Sequence, residues 1–273
     1  MPNFICVTCG TQYPDSILPA EHCVICSEER QYIGWDGQLW TTMEELRDRH
    51  RNQLQPEGPG LVGIGCEPTF AIGQRALHLK PGSGGFLWDC ISLIDDATAA
   101  TVQKLGGVNV LAISHPHYYS SMVDWSRAFS GVPVYLHAAD RQWVVRPDRA
   151  LVFWDGDAIE VAPGVTLVRC GGHFAGGTVL HWAGGADGLG ALLGSDVVMV
   201  ARDRRTVSFM YSYPNYIPLN DAAVRRIGDA VEPFEFEQIY GAWFGQNVLE
   251  GGKQAVRYSV RRYLTAIGER SRV

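Results

Sequence analysis

The sequence predicts an α+β chain, two β-sheets packed face to face with helices outside, behind a small cysteine-rich module. Three observations carry this reading. Four of the seven cysteines fall within the first 26 residues. From residue 61 onward, short apolar runs separated by glycine turns read as strands. Those runs are interrupted by helix candidates and then come again, which is the order of a layered chain rather than a bundle or a barrel.

The cysteines come as two pairs, Cys6-Val7-Thr8-Cys9 and Cys23-Val24-Ile25-Cys26, with thirteen residues between them. Each pair closes a tight turn, and Gly10 suits such a turn. Four thiolates around one Zn²⁺ supply folding energy that so short a segment cannot draw from a core. A zinc-ribbon-like module is therefore expected over residues 1–35. Cys66, Cys90 and Cys170 sit in strand-like apolar contexts and read as inert buried thiols.

Residues 36–60 read as a charged helix and a linker. Thr41 with Glu44, or Thr42 with Glu45, makes a capping box for the helix, and Gln55-Pro56-Glu57-Gly58-Pro59-Gly60 propagates neither helix nor strand. The third segment, 61–273, opens with strand candidates at 61–65, 70–73, 76–80 and 85–88, then a helix at 96–105. A strand at 108–113, a helix at 121–129, a strand at 134–136 and a helix at 138–145 follow. The second half offers strands at 158–161, 165–169, 178–182 and 191–193, and a helix at 221–231. Val256, Val260, Tyr263, Leu264 and Ile267 recur at helical spacing and make the last element an amphipathic helix.

Composition narrows the function. Lys plus Arg is 23 against 29 Asp plus Glu, a net charge of -6 without a long basic run, which argues against a nucleic-acid groove. No stretch is long and apolar enough for a membrane span, and the N-terminus lacks the features of a secretion signal, so the expected place is the cytoplasm. A small-molecule substrate is the expected partner, with a homodimer or protein contact through the zinc module as the other.

Three segments then carry ligand chemistry. His115-Pro116-His117 follows an apolar strand candidate, His173 sits among the glycines of Cys170-Gly171-Gly172-His173-Phe174-Ala175-Gly176-Gly177, and Asp196 ends Leu192-Leu193-Gly194-Ser195. Three imidazoles and a carboxylate make a competent ligand set for Zn²⁺ or Fe²⁺.

In order and spacing, these motifs, with Asp155-Gly156-Asp157 and Pro163-Gly164-Val165 between them, resemble the metallo-β-lactamase-fold superfamily over roughly residues 61–245. Asp89 resembles the aspartate that the family places beside its metal-binding loop. The resemblance implies a four-layer αββα sandwich with metal at one edge between the sheets, and most often a hydrolase that uses a metal-bound hydroxide. It also exposes departures. The family's first motif usually runs His-x-His-x-Asp-His, but Tyr119 and Ser120 stand in the last two places, and Trp243 or Phe244 stands where a late histidine is expected.

One pocket metal, Zn or Fe, is therefore expected, held by His115, His117, His173 and Asp196. The leading function is mononuclear hydrolysis of an ester, thioester or amide-type small molecule. Asp196 would handle the proton and Tyr119 would donate to a developing oxyanion. Tyr118, Tyr211, Tyr213 and Trp243 would wall the substrate, with Arg202, Arg204 or Arg205 pairing a carboxylate. Two other classes stay open: a non-haem iron oxygenase similar to persulfide dioxygenases, using His115, His173 and Asp196, and a catalytically silent member that binds a ligand or partner.

Overall fold

Side-chain alternation along each strand decides which layer that strand serves. The structure, a computed structural model, describes residues 1–82 and 84–268; residues 269–273 of the third predicted segment lie outside it. The chain opens with β1 (Asn3–Cys6), β2 (Gln12–Asp15) and β3 (Trp40–Thr42), a small antiparallel sheet ordered β2-β1-β3. Its third strand lies beyond residue 35, so the module borrows from the segment predicted to follow it. Helix α1 (Met43–Arg49) starts with the expected capping box: Glu45 N donates to Thr42 Oγ1, and Thr42 N donates to the Glu45 carboxylate.

Next come β4 (Arg51–Gly58), β5 (Leu61–Glu67), β6 (Ala76–Leu79), β7 (Phe86–Trp88), α2 (Asp96–Lys104), β8 (Val110–Ala112), α3 (Met122–Ala128), β9 (Val134–His137) and β10 (Leu151–Trp154). The seven strands form one sheet in the order β10-β9-β8-β7-β6-β5-β4. Strand β4 corrects the expected linker. Pro56 has no amide to give, but β4 is an edge strand with a partner on one side only, where proline is tolerated. Residues 70–73, expected as a strand, turn instead: Gly73 takes φ +72 and its amide bonds Phe70 O. The helix expected at 138–145 is a 3₁₀ helix over Ala138–Trp143.

The second sheet is built from β11 (Ala158–Ala162), β12 (Val165–Arg169), β13 (Thr178–Trp182) and β14 (Ala191–Ser195). Two short hairpins interrupt it, β15 (Met199–Val200) with β16 (Val207–Ser208) and β17 (Met210–Ser212) with β18 (Ile217–Pro218). After α4 (Asp221–Val231), β19 (Gln238–Gly241) and β20 (Asn247–Val248) complete the order β11-β12-β13-β14-β19-β20, and α5 (Gly252–Ala266) ends the described chain.

Successive strand residues point to opposite layers. Phe86, Trp88, Ala112, Leu167, Leu180 and Leu193 meet between the sheets. Their neighbours Leu87 and Leu111 turn outward onto Val102 of α2 and Trp125 of α3. On the other side Val168, Val179 and Leu192 pack under Val224 and Ile227 of α4 and Val256 of α5. This is the αββα sandwich. The cysteine module docks on it closely: Gly10, at φ +81, approaches so near that a Cβ there would meet Ser92 Oγ at 2.3 Å. Ser92 Oγ in turn donates to Gly10 O at 2.8 Å. Among the described residues no helix is long and apolar enough to cross a membrane.

Candidate functional site

Two clusters of ligand-type side chains stand out. In the module, Cys6 and Cys9 on the β1–β2 turn face Cys23 and Cys26, all four buried. Cys6 Sγ lies 3.6 Å from Cys26 Sγ and Cys9 Sγ 3.7 Å from Cys23 Sγ. Tetrahedral coordination at the usual Zn–S length puts sulfurs roughly 3.8 Å apart, so the four thiols fit one such ion. Gln38 Nε2 adds a hydrogen bond to Cys6 Sγ at 3.2 Å. Of the remaining cysteines, Cys90 and Cys170 are buried as expected, whereas Cys66 is only half-buried.

The second cluster gathers His115, His117, His173 and Asp196, with donor atoms all within 4.8 Å of one another. His115 and His117 follow β8, His173 occupies the β12–β13 connection and Asp196 follows β14, so both sheets deliver ligands to one edge. The four residues are 1%, 3%, 2% and 4% exposed. His115 Nε2 sits 3.1 Å from Asp196 Oδ1, and His173 Nε2 sits 3.0 Å from His117 Nδ1. These separations are close to the roughly 3.3 Å edge of a tetrahedral nitrogen and oxygen shell.

Neighbouring groups fix which ring nitrogens face inward. His173 Nδ1 donates to Tyr211 O at 2.6 Å, which leaves the lone pair on Nε2. Ser114 Oγ donates to Ser195 Oγ and so accepts from His115 Nδ1 at 3.0 Å, again leaving Nε2 free. Burial drives His115 and His117 well below the ordinary histidine range and His173 down to about 4, so all three are neutral near pH 7. His115 Nε2, His117 Nε2 and Asp196 Oδ1 have no hydrogen-bond partner among the described residues. Buried, neutral and unpartnered donors are what a cation site requires.

The underlying support is strained. Asp89 and Ser195 both take left-handed backbone, φ 57 and φ 51, where strands β7 and β14 give way to the site. Asp89 Oδ1 accepts from Ser114 N at 2.8 Å and thereby holds the His115 loop. Burial pushes the Asp89 carboxyl up to about 7.

None of the three departures from the family motif points at the cluster. Tyr119, expected as an oxyanion donor, gives its hydroxyl to Asp140 O at 3.2 Å. Ser120 Oγ accepts from Gln74 Nε2, and Trp243 Nε1 donates to Ile72 O at 2.8 Å. The tyrosine beside the cluster is Tyr118, whose ring lies 5.0 Å from that of His115 and whose buried hydroxyl has no hydrogen-bond partner among the described residues. Tyr213 donates to Asp196 O and stands with its ring 6.1 Å from His173, and Tyr211 supplies the carbonyl for His173.

The arginine at the site is one that sequence reasoning missed. Arg202, Arg204 and Arg205 are exposed around the β15–β16 turn. Arg30, four residues after Cys26, instead reaches across to donate from Nη1 to His173 O at 3.2 Å, with its guanidinium 4.1 Å over the Phe174 ring. Its only sequence signal is the charged run Glu28-Glu29-Arg30.

Asp140 steadies the His173 loop from below and yields a pH prediction. Its Oδ1 accepts from Gly176 N at 2.8 Å, and Oδ2 has no hydrogen-bond partner among the described residues. Burial pushes the carboxyl up from an ordinary 3.8 to about 6. A carboxyl raised in the fold contributes stability below its unfolded value and loses it as pH climbs through the folded value. Asp140→Asn keeps the acceptor and removes the charge. Urea unfolding is therefore expected to show wild type losing about 2 kcal/mol relative to Asp140→Asn between pH 4 and pH 7. A difference that does not change with pH would contradict this assignment.

No family model matches the chain. The uncharacterized protein YmaE of Bacillus subtilis (strain 168) is 45% identical over 269 residues, which cover 98% of this chain and 97% of that protein. Among solved structures, the DIM-1 metallo-β-lactamase exposed to ceftazidime superposes with TM-score 0.60 at 12% identity, covering 79% of this chain and 98% of that one. The metallo-β-lactamase FIM-1 from Pseudomonas aeruginosa, in its mono-zinc form, gives 0.56 at 15%, covering 80% and 97%. A metallo-β-lactamase from Hirschia baltica gives 0.54 at 17%, covering 78% and 97%.

Proposed function

Since the chain belongs to the family of Bacillus subtilis YmaE and has the metallo-β-lactamase fold, we propose that it is a metal-dependent hydrolase working with a single pocket ion. Zinc is the proposed metal of both clusters, one ion in each. The observation that carries this is the convergence of His115, His117, His173 and Asp196, all buried, with His115 Nε2 and Asp196 Oδ1 lacking a hydrogen-bond partner among the described residues and His117 Nδ1 facing His173 Nε2. A divalent cation held there supplies a Lewis acid that polarises a carbonyl and acidifies a water. The mono-zinc form of FIM-1 gives a precedent in this fold for one ion.

The chain's own residues do the rest. His115, His117 and His173 would hold the ion, with the His115 and His173 rings oriented by their bonds to Ser114 and Tyr211. Asp196, the buried carboxylate beside His115 Nε2, would accept or return a proton at the oxygen it does not turn toward the ion. The free Tyr118 hydroxyl replaces Tyr119 as the donor to the oxygen on which charge develops. An ester, thioester or amide-type carbonyl is the matching substrate group. The test is turnover of an activated ester and thioester panel by protein stripped of its pocket ion with dipicolinate and then reloaded with zinc. Recovery of turnover on reloading is expected; equal rates in the two forms would sink the hydrolase reading.

A further inference from the structure

We propose that the segment just after Cys26 is a strap that closes the metal pocket, with Arg30 as its pin, so that the thiolate site governs access to the histidine site. The inference rests on the reading of the pocket as a metal site. Arg30 bridges the two: besides its bond to His173 O and its place over Phe174, its guanidinium lies 5.4 Å from the Tyr211 ring. Glu28 Oε2 holds the same guanidinium at 2.6 Å, so the cation arrives already paired.

The strap is clasped along its main chain by the β17–β18 hairpin. Asn215 Nδ2 donates to Glu29 O at 2.8 Å and to Gln31 O at 3.0 Å, and Ser212 Oγ donates to Arg30 O at 3.2 Å. Tyr211, the residue whose carbonyl fixes His173, donates its hydroxyl to Glu29 Oε1 at 2.8 Å. Cys26 anchors the other end. A four-residue span reaches at most about 14 Å, so the module's position sets where Arg30 can stand. The four residues are at most 4% exposed, so a carbonyl compound reaches them only if a covering segment moves, and that movement is assigned to the strap. The clasp consists of a few polar side-chain bonds and the cation–π contacts of Arg30 with Phe174, Tyr211 and Trp143, a set weak enough to open locally while the sandwich stays folded.

The test follows metal release, not turnover. The full chain loaded with zinc is mixed with 4-(2-pyridylazo)resorcinol, and transfer of the pocket ion is timed for wild type, Arg30→Ala and the clasp variant Asn215→Ala. Arg30→Ala is expected to speed pocket release about tenfold or more, from the loss of its bond to His173 O and its cation–π contacts, and Asn215→Ala to act in the same direction. Emptying the thiolate site of wild type with p-hydroxymercuribenzoate is expected to speed pocket release equally, with no further gain in Arg30→Ala. Two zinc ions per chain with the same pocket rate in all forms would overturn the strap alone. One zinc per chain in wild type would overturn both the strap and the proposed pocket metal.

Discussion

His117→Ala is expected to leave the chain with its thiolate ion only, and to lower turnover of any hydrolysed ester about a thousandfold. Replacing a group that merely orients a ligand costs 10 to 100-fold in affinity or activity, so removing the ligand itself is expected to cost about a thousandfold or more. The structure gives the reason. His117 Nδ1 is the atom that faces His173 Nε2 at 3.0 Å, so its loss opens the shell on one side. The sandwich is expected to survive, since the cores on either side of the sheets do not draw on this ring. Metal content per chain, circular dichroism and turnover on one sample check all three statements. A variant that keeps both metal and rate would remove His117 from the ligand set.

Cys23→Ser is expected to have the larger effect on stability. The module's buried cluster is Cys6, Cys9, Cys23, Ile25 and Cys26, with Tyr13, Trp40 and Trp143 packed against it. Without an ion that cluster holds one aliphatic side chain among four thiols. Structural zinc supplies about 10 kcal/mol or more of folding energy in such modules, and a serine in place of a thiolate forfeits most of it. Residues 1–40 are therefore expected to become cleavable by trypsin and chymotrypsin at enzyme ratios that spare wild type. The main domain should lose some stability too, because Gln12 bonds across the junction to Asp124 and Arg146, which also pair with each other. Native protection of residues 1–40 in the variant would show that the module folds without its ion.

Much of this architecture was legible because it is periodic. Strands β12, β13 and β14 follow from short apolar runs between glycine turns and helix α4 from 3.6-residue spacing, and α4 spans the expected residues 221–231. The two cysteine pairs and the glycine-flanked His173 could be read locally, since their chemistry demands those turns. What failed depended on the neighbourhood. Strand β4 was hidden by Pro56, which is acceptable only because the sheet ends there. Which of Tyr118 and Tyr119 meets His115 is not legible either, because the 3₁₀ turn over Pro116–Tyr118 rotates consecutive side chains by about 120°. Arg30 meets His173 across 143 positions, a contact with no local trace. The arginines nearer in sequence to the aromatic loop were the better guess on spacing and are exposed elsewhere.

The second-metal question turns on the same packing. Tyr119, Ser120 and Trp243 do more than lack ligand chemistry; each is bonded elsewhere, to Asp140, Gln74 and Ile72. The most direct test is elemental analysis of the purified full chain combined with anomalous maps at the Zn and Fe edges. The expected result is two zinc ions per chain, one among the four cysteines and one bound by His115, His117 and His173. A third ion beside Tyr119 and Ser120, or a histidine pocket that takes up no metal, would contradict it.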